Sequence, residues 1–166
     1  MVAAPARAGL LALALGLVVA GCGTGSNAPT GTLRTPPVAA PRPPFDVGPV
    51  KTAAEYLAEP DYAGADTARG ELLGLACAAC HRFRAEQGTL IGPHLQGVFG
   101  RPAAAVAGFD YSPALEQSGL VWTPRSLEAW LADPAGFVAG TTMTFTGYRT
   151  AQDRRDLIAY LLRATQ

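Results

Sequence analysis

Five consecutive residues near the middle of the chain, Cys77-Ala78-Ala79-Cys80-His81, carry most of its chemistry. Two thiols three positions apart, followed directly by a histidine, form the spacing at which both cysteines hold a c-type haem covalently while the histidine ligates its iron. A Cys-x-x-Cys pair also occurs in zinc sites and in thioredoxin-like redox sites. The rest of the sequence has to distinguish these three kinds of site.

The other residues of the chain favour haem. A zinc site needs a second pair of ligands, but Cys22 is the only other cysteine and His94 is the only other histidine. A dithiol redox site is expected at the start of a helix that follows a strand of a βαβ unit, and no Val- and Ile-rich strands alternate with helices here. We therefore predict one haem c, attached through Cys77 and Cys80, with His81 as an iron ligand.

The first 21 residues are typical of a bacterial secretory signal. Positive charge at Arg7 precedes residues 10–20, an apolar run shorter than the ~20 residues that a membrane-spanning helix needs. Residues 19–22, Val-Ala-Gly-Cys, resemble a lipobox, which predicts cleavage before Cys22 and lipidation of that cysteine. The alternative is an ordinary signal in which Cys22 lies there by chance, but lipidation accounts for an otherwise unpaired third thiol. Multiple acyl chains would anchor the exported protein stably to a membrane.

Residues 22–64 are predicted to form the lipidated end and a Pro-rich linker. Prolines recur up to Pro49 among small residues that cannot build a core, as in a semi-rigid spacer. Residues 53–58 have the composition of a short helix, which Pro60 would end. This helix could pack on the domain that follows, but the sequence alone assigns no role to it.

Residues 65–166 are predicted to form one all-α domain, with a few helices and long loops wrapped around the haem. Four helix starts are indicated by capping residues, namely Asp66, Ser112, Thr123 and Thr150. Apolar residues repeat at helical spacing after the last two of these caps. The Gly- and Pro-rich residues 88–102 and 136–147 show no strand alternation and are expected to be the loops.

The charges of the chain argue against nucleic acid as a partner. Thirteen basic and thirteen acidic residues give a formal net charge of zero, and Lys51 is the only lysine. Binding to phosphates requires a basic stripe, which this chain lacks. We expect a monomer.

The second axial ligand is predicted by elimination. Apart from water, the mature chain offers only Met143 and His94 as candidates beside His81. His94 lies thirteen positions after His81, in a loop expected to return on the same side of the haem ring. Met143 lies in a Gly- and Thr-rich loop able to cross the opposite face. We therefore predict His81 and Met143 as the axial ligands.

Further motifs follow the pentapeptide along the chain. They are Gly92-Pro93, residues 97–101 (Gly-Val-Phe-Gly-Arg), Tyr111-Ser112, Trp122, residues 140–143 (Gly-Thr-Thr-Met) and residues 157–161 (Leu-Ile-Ala-Tyr-Leu). Together with the pentapeptide, this series resembles class I cytochrome c of the compact mitochondrial and bacterial type, over essentially all of the domain. The resemblance implies the cytochrome c fold and a hydrogen bond from His81 to the carbonyl of Pro93, which fixes the ring. It also implies that Arg101, Tyr111 and Trp122 surround a haem propionate. The other haem-binding residues that it implies are Thr141 and Phe145.

Each of the three predicted propionate residues also suits a role without haem. Trp122 suits the core, Tyr111 a half-exposed ring and Arg101 a solvated surface charge.

Two departures from the family pattern affect packing. Ala139 replaces a common proline, so the loop that carries Met143 is expected to be less rigid. Gly74 replaces a frequent large aromatic residue, so looser packing of the first and last helices of the domain is expected around Tyr160.

The function implied by the resemblance is one-electron transfer rather than enzymatic catalysis, because both axial positions are filled by the protein. The expected partners are redox proteins of respiratory or photosynthetic complexes, at the periplasmic face of a bacterial membrane. The lysines by which many soluble members meet acidic partners are missing, and Arg82, Arg84 and Arg149 are candidates for a reduced set. Two alternatives are a haem-binding subunit of an oxidoreductase complex, and a haem enzyme or sensor in which Met143 dissociates.

Overall fold

The computed structural model of the protein describes residues 45–166. The predicted signal, Cys22 and the first part of the predicted linker lie outside these residues. Within the described range the regular structure is helical, with no β-strand and only an isolated antiparallel bridge between Pro102 and Val121. The predicted all-α fold class is confirmed.

Seven α-helices follow one another along the described chain, and a 3₁₀ turn at Ala85–Gln87 lies between the third and the fourth. The helices are α1 (Ala53–Leu57), α2 (Pro60–Ala63), α3 (Thr67–Ala78), α4 (Pro113–Glu116), α5 (Pro124–Ala132), α6 (Pro134–Phe137) and α7 (Ala151–Ala164). The four predicted capping residues all precede a helix, and each side chain accepts a hydrogen bond from a backbone N–H of the first turn. Sequence analysis did not predict α2 and α6, which are each four residues long.

Helices α3 and α7 pack on each other through two glycines of α3. A Cβ atom on Gly70 would collide with the backbone carbonyl of Asp156, and one on Gly74 would lie 2.8 Å from Cε1 of Tyr160. Both glycines are buried, so the α7 backbone and the Tyr160 ring occupy the space that larger side chains would need. The expectation of looser packing around Tyr160 is wrong, because its ring fills the space above Gly74.

The core lies beneath α7, whose Leu157, Ile158 and Leu162 are fully buried. Trp130 of α5 meets Trp122 edge to face, with ring centroids 5.4 Å apart. In this arrangement the positive edge of one indole meets the negative face of the other. The two rings join α5 to the loop that precedes it.

Residues 45–64, which we call the strap, pack on this core. Tyr56 of α1 and Tyr62 of α2 are only 5% and 6% exposed, and both helices contact α7. The helix predicted at residues 53–58 is present as Ala53–Leu57, with Pro60 opening the next helix. The Tyr56 hydroxyl donates to the carbonyl of Pro49 and accepts from the N–H of Lys51, which fixes the chain entering α1.

Candidate functional site

A cavity of about 370 Å³ lies between the end of α3, helix α5 and the long loops. All ten residues predicted to hold the haem or its iron line this cavity. They are Cys77, Cys80, His81, Pro93, Arg101, Tyr111, Trp122, Thr141, Met143 and Phe145. The fold thus brings together residues that are up to 68 positions apart in the sequence (145 − 77).

The two cysteines stand where α3 ends. The chain turns sharply after the helix, because the N–H groups of Cys80 and His81 both donate to the carbonyl of Cys77, at 3.0 and 2.8 Å. Neither cysteine is in a disulfide within the described residues, and both line the cavity. Burial raises the pKa of Cys77 to about 11, the opposite of the lowered value that a reactive dithiol needs. This environment argues against the thioredoxin-like alternative.

His81 is held in one orientation by its neighbours. Its Nδ1 atom lies 2.7 Å from the carbonyl oxygen of Pro93, so Nδ1–H donates to this oxygen. The Nε2 atom is left with a free lone pair, as a metal ligand requires. Burial lowers the pKa of His81, although the hydrogen bond to Pro93 opposes that shift, and burial therefore favours the neutral imidazole.

Met143 lies in the loop after α6 and lines the same cavity. Its N–H donates to the Thr141 hydroxyl at 3.3 Å, and the Thr141 N–H donates to the carbonyl of Val138 at 3.1 Å. His94, the other candidate for the sixth ligand, is absent from the cavity lining. Of the two candidates, the fold places only Met143 in the lining of the cavity that His81 also lines.

Arg101 is the only Lys, Arg, Asp or Glu residue among those that line the cavity. Its guanidinium is half-buried and donates to the carbonyls of Gln96 and His94, at 2.8 and 3.0 Å. Burial lowers its pKa from the ordinary value. Backbone oxygens thus hold the Arg101 guanidinium beside the cavity. The alternative role of Arg101, a solvated surface charge, does not describe this environment.

The aromatic residues around the cavity are partly fixed by one another. The Tyr111 hydroxyl accepts a 3.4 Å hydrogen bond from the N–H of Val106, and its ring meets Phe109 edge to face at 4.7 Å. Burial raises the pKa of Tyr111. Trp122 is buried, which also agrees with the core role left open for it.

The remaining cavity wall is largely apolar, and the sequence assigned no haem-binding role to its members. They include Leu95, Val98, Leu127, Leu131 and Leu161, from both loops and helices. Helical periodicity marks only those on α5 and α7 as inward-facing. A largely apolar cavity with one fixed cation fits a macrocycle that has an apolar body and carboxylate substituents. Among residues 45–166 no cluster of three or more His, Cys, Asp or Glu side chains suits a metal ion.

These features define a small protein built to hold c-type haem in a helical shell. Residues 67–165 match the family model described as cytochrome c. Cytochrome c of Gibberella zeae is 40% identical over 63% of this chain and 99% of its own length, and cytochrome c2 of Rhodomicrobium vannielii is 39% identical over 63% and 82%. The solved structure of cytochrome cH from Methylobacterium extorquens superposes with a TM-score of 0.55 at 42% identity, covering 58% of this chain and 97% of its own.

The chain belongs to the cytochrome c family. It is a haem-based electron carrier, and the family's covalent haem attachment applies to Cys77 and Cys80, which have the required spacing. The predicted cofactor, fold and general function are confirmed by these comparisons. The role of each individual site residue stays a prediction.

Proposed function

We propose that this protein is a lipid-anchored bacterial cytochrome c that shuttles single electrons between membrane complexes, with His81 and Met143 as axial ligands. The observation that carries the ligand assignment is the cavity itself. It is lined by His81 and Met143 but not by His94. Haem supplies the one-electron couple between Fe(II) and Fe(III).

The residues around the cavity prepare it for electron transfer rather than catalysis. Pro93 fixes the His81 ring and increases its donor strength through the Nδ1–H hydrogen bond. The thioether of Met143 is a soft ligand, which favours reduced iron and raises the reduction potential. If His81 and Met143 both hold the iron, a substrate would have no free coordination position on it.

Two further properties of the cavity support this function. Its largely apolar wall would limit the access of solvent, so the change in charge on electron transfer would require little solvent reorganisation around the site. Arg101, fixed by the carbonyls of His94 and Gln96, offers a positive charge to a carboxylate of the bound group. Tyr111 and Trp122 line the same cavity and are proposed to complete this environment.

The proposed location rests on the N-terminal sequence. A secretory signal that ends in a lipobox would export the chain and attach acyl chains to Cys22, and the Pro-rich residues that follow would tether the domain. In the described residues, 45–166, the helices are all too short or too polar to cross a membrane. A tethered carrier needs little long-range attraction, because its anchor raises its local concentration near membrane partners, and this suits a chain with one lysine.

The test is an absorption spectrum of the purified holoprotein, oxidised and reduced, with and without carbon monoxide. A protein with both positions filled should show the weak long-wavelength band of ferric Met-ligated haem and should not bind carbon monoxide readily when reduced. Rapid stoichiometric binding at neutral pH would show an open position and favour a haem enzyme or sensor. Donor and acceptor complexes would then be sought by following the oxidation of the reduced protein by isolated membranes.

A further inference from the structure

The strap, residues 45–64, precedes the part of the chain that matches the family model, which begins at residue 67. It is nevertheless built into the domain. Tyr56 and Tyr62 are buried in the common core, and Phe45 packs against its edge. Two tyrosines of this segment are buried, but the proposed function assigns the segment no role.

The first strap residues contact elements that border the haem cavity. The ring of Phe45 meets the ring of Phe137 edge to face, with centroids 5.1 Å apart. The carbonyl of Val47 accepts a 3.2 Å hydrogen bond from the Thr123 hydroxyl, beside the cavity residue Trp122. The strap thus reaches both the last residue of α6 and the start of α5.

Phe137 leads directly into the loop of Met143. The next residue, Val138, is buried and its carbonyl accepts from the N–H of Thr141, whose hydroxyl accepts from the N–H of Met143. A continuous series of contacts therefore connects Phe45 to Met143. Coupling carried through such contacts is testable residue by residue.

The loop has little structure of its own to hold it. Residues 141–149 adopt neither helix nor turn, and the far end is fixed where the N–H of Tyr148 donates to the carbonyl of Leu131 at 2.7 Å. Gly147 lies against the Ala132 carbonyl, so this end of the loop is closely packed on α5. At the near end, Val138 is buried in the core, a Cβ atom on Gly140 would lie 3.2 Å from the side chain of Ala114, and Phe45 packs on Phe137 just before them.

We propose that the strap is a clamp on the Met143 loop, and that Phe45 is a positioning residue that keeps Met143 in the cavity by packing on Phe137. This inference rests on the proposed ligation of the iron by Met143. Its physical basis is the packing of two half-buried aromatic rings, supported by Arg125. The Arg125 guanidinium lies 5.7 Å from the Phe45 ring centroid and its Nη1 lies 3.6 Å from a carboxylate oxygen of Asp46.

The inference predicts that loss of the Phe45 ring makes the loop open more often. An external ligand of ferric haem, such as imidazole, must wait for Met143 to leave the cavity, so its binding rate reports loop opening. Phe45→Ala should raise the imidazole-binding rate about three- to tenfold, given the usual worth of an aromatic pair. Phe45→Leu should recover part of the wild-type rate. The Met-ligation band should persist in both variants, because the closed state still predominates.

Lys51→Ala is the matched control within the strap. It removes an exposed ion pair with Glu59, 2.8 Å long, that does not contact α6 or the loop. Its imidazole-binding rate should stay within about twofold of wild type, as expected for an exposed pair. The double variant Phe45→Ala/Phe137→Ala should match Phe137→Ala alone in its imidazole-binding rate, because the clamp acts on the loop through the contact between these two rings.

Hydrogen exchange provides a measurement that does not depend on iron. The Thr141 amide should exchange about three- to tenfold faster in Phe45→Ala, while amides of α7 change less. A purely structural role would lower thermal stability without changing either the imidazole rate or the Thr141 exchange, and that result would overturn the clamp. A wild type without the Met band would overturn the proposed function and the clamp together, whereas a normal band with a wild-type rate in Phe45→Ala would overturn the clamp alone.

Discussion

The imidazole ring of His81 packs directly on the backbone of Gly92. A Cβ atom on Gly92 would lie 2.6 Å from Nδ1 and 2.9 Å from Nε2 of that ring, so no side chain fits there without displacing His81. The same imidazole is held on its Nδ1 side by the carbonyl of Pro93. The position of the predicted iron ligand therefore depends on a neighbour that has no side chain.

Replacing Gly92 by alanine should therefore disturb His81. We expect Gly92→Ala to lose about 1–3 kcal/mol of stability through overpacking and to yield less holoprotein, since the displaced ring loses its contact with Pro93. Gly64→Ala is the control, because nothing lies within 4 Å of its added methyl group. Haem content per protein and chemical denaturation would be measured for both variants. Equal behaviour of the two would show that the His81 ring is free to move.

The two glycines of α3 should differ in their tolerance of alanine. Gly70→Ala would collide with the backbone of Asp156 and should cost about 1–3 kcal/mol, because backbone cannot move aside without separating α3 from α7. Gly74→Ala meets only the ring of Tyr160, which can rotate, and a gain in helix propensity of up to about 1 kcal/mol offsets the strain. Guanidinium denaturation of the holoproteins would measure both changes. A larger loss for Gly74→Ala would contradict this account of the packing.

Covalent attachment should be essential for folding. With both thiols removed, Cys77→Ser/Cys80→Ser cannot hold haem covalently, and the apolar cavity should then leave the core incomplete. We expect much less folded protein, with no haem retained on a denaturing gel. Each single variant should keep at most one link. A normal yield of compact, haem-free double variant would contradict the haem-centred interpretation of the core.

The predicted lipid anchor is tested by Cys22→Ser. Without that thiol no acyl chains can be attached, and a protein whose signal is removed should move from the membrane fraction to the soluble fraction. Western blotting of both fractions after a salt wash is the measurement, with Cys80→Ser as a control that leaves the lipobox intact. Persistent membrane association of Cys22→Ser would point to a protein partner or to an uncleaved signal as the anchor.

Much of the site was predictable because its chemistry is encoded in short motifs. The spacing of Cys77, Cys80 and His81 specifies a cofactor without any knowledge of the fold, and elimination selects Met143 because the chain has so few candidates. Helix starts were equally readable, since caps such as Asp66 and Thr123 act on backbone groups only three residues away. Local chemistry of this kind needs no tertiary information.

Features that depend on contacts distant in sequence were not predictable. The effect of Gly74 was misjudged because the space above it is filled by Tyr160, which is 86 positions later (160 − 74). The strap was assigned to the segment that links Cys22 to the domain, with a short helix predicted inside it, and its Tyr56 and Tyr62 are buried against α7. The composition of a segment indicates how much conformational entropy is lost when the segment becomes ordered. The packing contacts that offset this loss are known only from the fold.

Ligation of the iron by Met143 would make the protein an electron carrier, whereas an open position would make it a catalyst. Replacement of Met143 therefore tests the two assignments most directly. Met143→Ala should remove a soft ligand that favours reduced iron, so we expect loss of the long-wavelength band and a lower reduction potential. The same variant should bind carbon monoxide when reduced and gain some peroxidase activity, since a position on the iron becomes open.

His94→Ala is the matched control for Met143→Ala. His94 does not line the cavity, although its backbone carbonyl accepts a hydrogen bond from Arg101, and alanine retains that carbonyl. The band, the potential and the resistance to carbon monoxide should therefore remain those of wild type. Absorption spectra and a redox titration of the three proteins would decide the assignment. If His94→Ala, and not Met143→Ala, lost the wild-type properties, the sixth ligand would be His94 and the loop after α6 would have no direct role at the iron.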